Sequence, residues 1–319
     1  MTMLSTVWIV GVMLAQAGPA SPVVVAPLKV VVANPVVADL VRAVGANDVE
    51  LIVLGAGGDP HHDEPTPADA RRILEADLVL RFGLGLDRSL GLLHKSTGSQ
   101  GRLVVVAEGL GKAGGHAHEH DHDADHTHDP AAEPVANESA VDPHIWHDPT
   151  SVLVLNERIC AALVAARPGI ADAVRSRSLD LAARITDLDK WIQTQLSLVP
   201  ESKRVLATTH DGLQYFGDRY GFRVVAVEMS GDQSVGADPP PSVLIEMVRA
   251  LQATKCSVVF GDGSHPSRIA AAVAREAKVR LVETLRLDAL LPSSGAAGAS
   301  AYLETMRSNV TAIVEALKE

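Results

Sequence analysis

From Ile170 to Leu198 the chain runs without a proline or glycine, and Ile185, Leu188, Ile192 and Leu196 recur at three- to four-residue spacing. That pattern is one apolar stripe on one long helix, roughly 40 Å from end to end. A rod of that length matches the width of a whole domain. It predicts a spine between two bodies rather than one packing element among many. At roughly 150 residues per domain, 319 residues leave room for one body on each side.

Both flanks of the spine alternate apolar runs of strand length with helical periodicity. On the N-terminal side, strands are expected at Leu28–Ala33, Val49–Leu54, Leu78–Phe82 and Leu103–Ala107. Helices are expected at Pro35–Val44 and from Thr66 to about Ala76. In the second of these, Thr66 can cap, Pro67 suits the first turn and Asp69 can answer the cap. Ser151–Ala166 reads as a helix that stops near Pro168. Beyond the spine, strands are expected at Val205–Thr208, Phe222–Val227, Ser257–Phe260 and Val279–Val282. Helices are expected at Gly212–Arg219, Pro241–Ala253, Pro266–Ala277 and Ala301–Leu317. Such alternation implies mainly parallel sheets covered on both faces. The expected fold class is therefore α/β, two lobes with mainly parallel sheets joined by a long rigid helix. The lobes are placed at 27–150 and 200–319, with linking helices at 151–199.

The first residues read differently. An apolar run from Val7 to Ala17 ends in Ala15-Gln16-Ala17, a small-x-small cleavage pattern. Residues 1–20 are expected to be a signal peptide, although no Lys or Arg precedes the run. No later stretch is long enough and apolar enough for a membrane span, and neither cysteine lies near the cleavage pattern. A free periplasmic protein without a lipid anchor is the expectation.

Composition removes several classes of function. A net charge of -11 has the wrong sign for a phosphate-binding surface, and 3% aromatics leave little to stack on bases, so no nucleic-acid partner is expected. Two cysteines, Cys160 and Cys256, make neither a disulfide scaffold nor a four-thiolate zinc site. The unusual count is thirteen histidines. Six of them, His116, His118, His120, His122, His126 and His128, alternate with acidic residues inside 111–140, where helical and strand periodicity vanish. That segment reads as a surface loop offering many weak, interchangeable zinc ligands.

Four other residues stand where a parallel α/β sheet binds its ligands, beyond the carboxyl ends of strands. His61 lies in Gly58-Asp59-Pro60-His61 and His144 in Asp142-Pro143-His144-Ile145-Trp146. His210 follows the Val205–Thr208 strand, and Asp288 follows Val279–Val282 after a short extension. In each Asp-Pro-His tripeptide the proline restricts the backbone just before the imidazole. Three imidazoles and one carboxylate suit four-coordinate Zn2+; manganese would call for more oxygen ligands. Asp262 and His265 are weaker candidates for an accessory ligand. His62 and His147 read as neighbours of ligands or surface residues, His94 as a surface residue, and Cys256 as a small buried hydrophobe. A Cys160–Cys256 bridge has no positive support.

These motifs, together with Glu64-Pro65-Thr66-Pro67-Ala68-Asp69, Thr209-His210-Asp211, Tyr215-Phe216 and Tyr302-Leu303-Glu304-Thr305-Met306 with Asn309, resemble the metal-specific solute-binding proteins of ABC transporters. Within that cluster A-I group they are most similar to the zinc-uptake proteins. The resemblance covers nearly the whole mature chain. It implies two lobes joined by a long helix, metal ligands at His61, His144, His210 and Asp288, and a His-rich loop that captures or transfers zinc. It also implies a monomer that is not an enzyme, delivering Zn2+ to a membrane permease, with a periplasmic zinc metallochaperone as a further partner. Two departures stand out. Asp63 occupies a position where many relatives have an aromatic residue. Cys256 resembles half of a second-lobe disulfide but lacks a second-lobe partner. Two rival readings are a zinc hydrolase, for which no His-Glu-x-x-His helix is present, and an adhesin on the same fold. Manganese binding by the same family is the nearer alternative.

Overall fold

The computed structural model describes residues 26–55, 66–112, 141–209, 211–226, 241–264, 267–292 and 300–318. The segment 1–25, which includes the expected signal peptide, lies outside them, as does 113–140 with its histidine cluster.

The first sheet is built from β1 (Leu28–Val32), β2 (Val49–Val53), β3 (Leu78–Arg81) and β4 (Arg102–Val105). All its pairings are parallel and the order is β2-β1-β3-β4. The second sheet uses β5 (Val205–Thr208), β6 (Arg223–Ala226), β7 (Val258–Asp262) and β8 (Arg280–Leu285), again all parallel, in the order β6-β5-β7-β8. The two halves thus repeat one topology. In each, the chain leaves its first strand in one direction and returns on the other side. The crevice outside the carboxyl ends at that reversal is where such sheets take ligands.

Helices connect the strands as a parallel sheet requires. Those of the first half are α1 (Pro35–Gly45), α2 (Pro67–Leu74) and α3 (Arg88–Thr97). Then come α4 (Pro149–Ala166) and the spine α5 (Ala171–Leu196), followed by α6 (Gln214–Tyr220), α7 (Pro241–Thr254), α8 (Arg268–Ala277) and α9 (Ala301–Leu317). The start of α2 carries the anticipated capping box. Asp69 N–H donates to Thr66 Oγ1 at 3.3 Å, and Thr66 N–H donates to Asp69 Oδ2 at 2.9 Å. Helix α3 was not anticipated. Glycine at 91 and the lack of a capping bond from Asp87 to its own first turn weaken its local signal, and it forms by packing on α2. By length and composition α4 could cross a membrane. Here Val152, Leu155, Ile159 and Leu163 are fully buried in the protein's own core.

The spine runs for 26 residues, inside the Ile170–Leu198 span read from its pattern. Val174, Ser178, Leu181, Ile185, Leu188, Ile192 and Leu196 form its buried face. One apolar cluster contains this stripe together with Leu28, Val30 and Leu80 of the first sheet and Leu206, Val258 and Phe260 of the second. The sheets are therefore two, but the core along α5 is continuous. Each fully buried Leu or Ile contributes roughly 1.5–3 kcal/mol, so sliding one lobe along the spine would expose several such contributions at once.

A polar latch closes the same interface. Asp39, buried in α1, accepts Ala301 N–H at 3.0 Å, Tyr302 N–H at 3.1 Å and Ser300 O–H at 2.7 Å. A carboxylate from the first half thus satisfies the N-terminal amides of the last helix, where the helix dipole also favours negative charge. Asp39→Ala is expected to cost about 2–4 kcal/mol of unfolding free energy, because it strands buried donors. Leu179→Ala, at a position 73% exposed on α5, is expected to stay within about 0.5 kcal/mol of the parent. Urea midpoints compare the two, and equal midpoints would refute the latch.

Candidate metal centre

His144 enters the interlobe region on a short turn. Pro143 precedes it, a 3-10 turn spans Ile145–His147, and α4 begins at Pro149. The ring is 3% exposed. Asp142 Oδ1 accepts the His144 backbone N–H at 3.0 Å and lies 2.8 Å from the ring's Nδ1. Asp142 therefore does more than open the turn. It orients the imidazole and fixes which nitrogen faces outward, as carboxylates commonly do behind metal-binding histidines. The sequence held this signal in the acid two residues before the histidine, but the tripeptide read only as a backbone restraint. Trp146 packs edge-on against the ring at 5.2 Å and 67°. Tyr215 of α6 donates its O–H to the Asp142 carbonyl at 3.0 Å, so the second lobe also holds this turn.

The outward nitrogen of His144 meets Asp288. Nε2 lies 3.1 Å from Asp288 Oδ1, one group from each half of the chain. Asp288 sits three residues beyond the end of β8, which runs to Leu285 rather than ending at Val282. Leu287 ties this segment to the histidine turn. Its carbonyl accepts the indole N–H of Trp146 at 2.9 Å and lies 3.1 Å from His147 Nε2. His147 is not on the surface: it is 1% exposed and belongs to the scaffold of the centre.

Asp262 also departs from its sequence reading. It is the last residue of β7 and not part of a loop. Its carboxylate is occupied by backbone amides, accepting Ser264 N–H at 2.6 Å and Leu287 N–H at 3.2 Å. It shapes the segment before Asp288 instead of offering itself as an accessory ligand. Glycines at 261, within β7, and 263, just beyond its end, allow close contact with β8. A Cβ on Gly263 would lie 2.7 Å from the Glu283 carbonyl oxygen.

The two histidines of the turn titrate in opposite senses. Burial alone would lower His144, but hydrogen bonds to Asp142 and Asp288 and their charges overcome it, and the ring is raised to about 9. At neutral pH it is an imidazolium that donates to a carboxylate at each end. Burial, reinforced by the neighbouring His144 charge, pushes His147 down to about 4. It is a neutral ring whose Nε2–H donates to the Leu287 carbonyl.

His61, His62, His210 and His265 lie outside the described residues, as do His116, His118, His120, His122, His126 and His128. In sequence, His210 comes two residues after the end of β5. Among the described residues no group of three or more His, Cys, Asp or Glu is placed to hold a metal ion; His144 and Asp288 are the expected pair that comes together. His94 is half-buried rather than a surface residue, with Nε2 2.7 Å from the Gly101 carbonyl. Cys160 and Cys256 are free thiols, both half-buried; Cys256 packs at the edge of a core cluster.

The family model for ZnuA, the periplasmic component A of a zinc-uptake complex, matches residues 30–316. The manganese-binding lipoprotein MntA of Bacillus subtilis is 28% identical over 298 residues, covering 91% of this chain and 90% of the relative. The zinc-binding protein TroA of Treponema pallidum is 27% identical over 294 residues, covering 88% and 86%. In solved structures the fold is shared with TroA at a TM-score of 0.72 and 24% identity, over 91% of this chain and 99% of that one. It is shared equally with a manganese-bound periplasmic metal-binding protein of Candidatus Liberibacter asiaticus, at 0.73 and 23%, with the same coverage.

The two histidines contribute opposite limbs to the pH dependence of the metal-free fold. His144, raised when folded, contributes stability that is fully present below its unfolded value near 6.5 and is lost as pH rises through about 9. His147, lowered when folded, withdraws stability as pH falls from about 6.5 to about 4. Urea unfolding of the metal-free protein is expected to be hardest near pH 6.5. Each limb approaches at most about 1.4 kcal/mol per pH unit. His147→Gln should flatten the acid limb and His144→Gln the alkaline one; unchanged limbs would contradict these assignments.

Proposed function

Because the chain belongs to the ZnuA zinc-uptake family, metal-binding solute-binding components of ABC transporters, we propose that it captures Zn2+ between its lobes outside the cytoplasm and delivers the ion to a membrane permease for import. The observation that carries this reading is the meeting of His144 Nε2 and Asp288 Oδ1 at 3.1 Å across the two halves. Zinc bonds of about 2.0–2.2 Å in a tetrahedral shell put neighbouring donors about 3.3–3.5 Å apart. The pair thus needs only a few tenths of an ångström to accept an ion.

On this reading His61 and His210 complete a closed shell of three imidazoles and one carboxylate, which leaves no open position for hydrolytic water. The histidine cluster of 113–140 gathers ions before they reach the cleft. The signal at residues 1–20 and the family's periplasmic description support action in the periplasm. A shared core and the Asp39 latch keep the lobes from swinging widely, so release falls to the permease or to competition by the loop. Manganese is the second reading, favoured by the likeness to a manganese-binding relative.

The proton on His144 acts as the placeholder. Metal displaces it from Nε2, while Nδ1–H stays on Asp142. Zn2+ affinity is therefore expected to rise about tenfold per pH unit between pH 7 and 8.5, with a proton released on binding. Competition with a zinc chelator across that range provides the check, and a flat profile would contradict the exchange. His61→Ala, His144→Ala, His210→Ala and Asp288→Ala are each expected to weaken the tight site strongly, and the same titration with Mn2+ ranks the two metals. Deleting Gly115–His128 is expected to reduce bound zinc per chain, by elemental analysis, while one tight site survives. Loss of that site would end the division of labour.

A further inference from the structure

The segment that presents Asp288 is held in an unusual way. After β8 ends at Leu285, all four backbone polar groups of Arg286 and Leu287 are satisfied by side chains from three other segments. Asn309 of α9 takes both groups of Arg286: its Oδ1 accepts the amide at 2.9 Å and its Nδ2 donates to the carbonyl at 2.8 Å. Asp262 accepts the Leu287 amide, and Trp146 and His147 donate to the Leu287 carbonyl. Beyond Asp288, Thr305 Oγ1 accepts the Leu291 amide at 2.8 Å while donating to Ala301 O at 2.7 Å. Thr305 and Asn309 stand one turn apart on the same face of α9 and are 3% and 4% exposed.

Asn309 engages both polar atoms of one residue, two positions before the carboxylate, which fixes the direction in which the chain enters Asp288. On the reading that Asp288 is a metal ligand, we propose that Asn309 is a positioning residue: it clamps Arg286 so that the Asp288 carboxylate faces His144 before the ion arrives, with Thr305 fixing the far side. A ligand segment ordered in advance avoids the entropy loss of being ordered by the ion. Partners of this kind behind metal ligands are typically worth 10–100-fold in affinity.

The test is a double-mutant cycle on the full chain, read by Zn2+ competition with a chelator. Asn309→Ser is expected to weaken Zn2+ binding 10–100-fold in the parent. In an Asp288→Ala background it is expected to change affinity less than twofold, because Asn309 would act only through Asp288. Amide hydrogen exchange of the metal-free protein should show faster exchange at Leu287 in Asn309→Ser with the spine amides unchanged. If Asn309→Ser proves unfolded by circular dichroism, Thr305→Val, which keeps shape and loses the acceptor for Leu291, runs through the same cycle. Equal weakening in both backgrounds, or no weakening in the parent, overturns the positioning role. An Asp288→Ala protein that binds Zn2+ as the parent does would instead remove Asp288 from the ligand set, and the clamp's purpose with it.

Discussion

The continuous apolar core along α5 fixes the distance between the two sheets, and the meeting of His144 with Asp288, the proposed metal centre, depends on that distance. His144 hangs from a turn of the first half and Asp288 from a segment of the second. Neither has a local reason to meet the other. Leu181, Ile185, Leu188 and Ile192 are buried to 1% or less against residues of one cluster that draws on both sheets. Close-packed cores resist sliding because a small displacement opens voids along the whole seam. The 3.1 Å approach of two side chains is thus a product of packing that extends far beyond the site.

Inside that frame the centre carries its own counter-charge. Two carboxylates facing one imidazole would be a costly burial without a cation, and the proton on His144 supplies it. His147 shows the complementary solution, a ring kept neutral by burial so that it can serve as a plain donor to a carbonyl. Side by side in sequence, the two histidines differ because one faces acids and the other faces the backbone of a distant segment.

Much of this was legible in the sequence where the cause was local. The α5 stripe, the Thr66–Asp69 capping box and the strand–helix alternation all follow from side chains within a turn or two of each other. What escaped has partners far away in the chain. Which of its two readings His147 takes, ligand neighbour rather than surface residue, is decided by the distant carbonyl of Leu287. Asp262 reads in sequence only as a weaker candidate for an accessory ligand, placed after a strand; it closes β7 instead, and the glycines on either side of it let the chain lie close to β8. Asp288 has undistinguished neighbours, Arg286, Leu287, Ala289 and Leu290, because the groups that hold it in place belong to β7, α9 and the His144 turn. Helix α3 rests on its contact with α2 and so left little local trace.

The Asp39 latch has a consequence for how the chain comes to its native state. It joins α1 to α9, across 262 positions. The amides at the start of α9 gain their acceptor only when the two termini of the domain pair are brought together, and closures of such long range are slow to form. The two lobes are therefore sealed to each other by a ring-like closure, which needs α1 and α9 both in place.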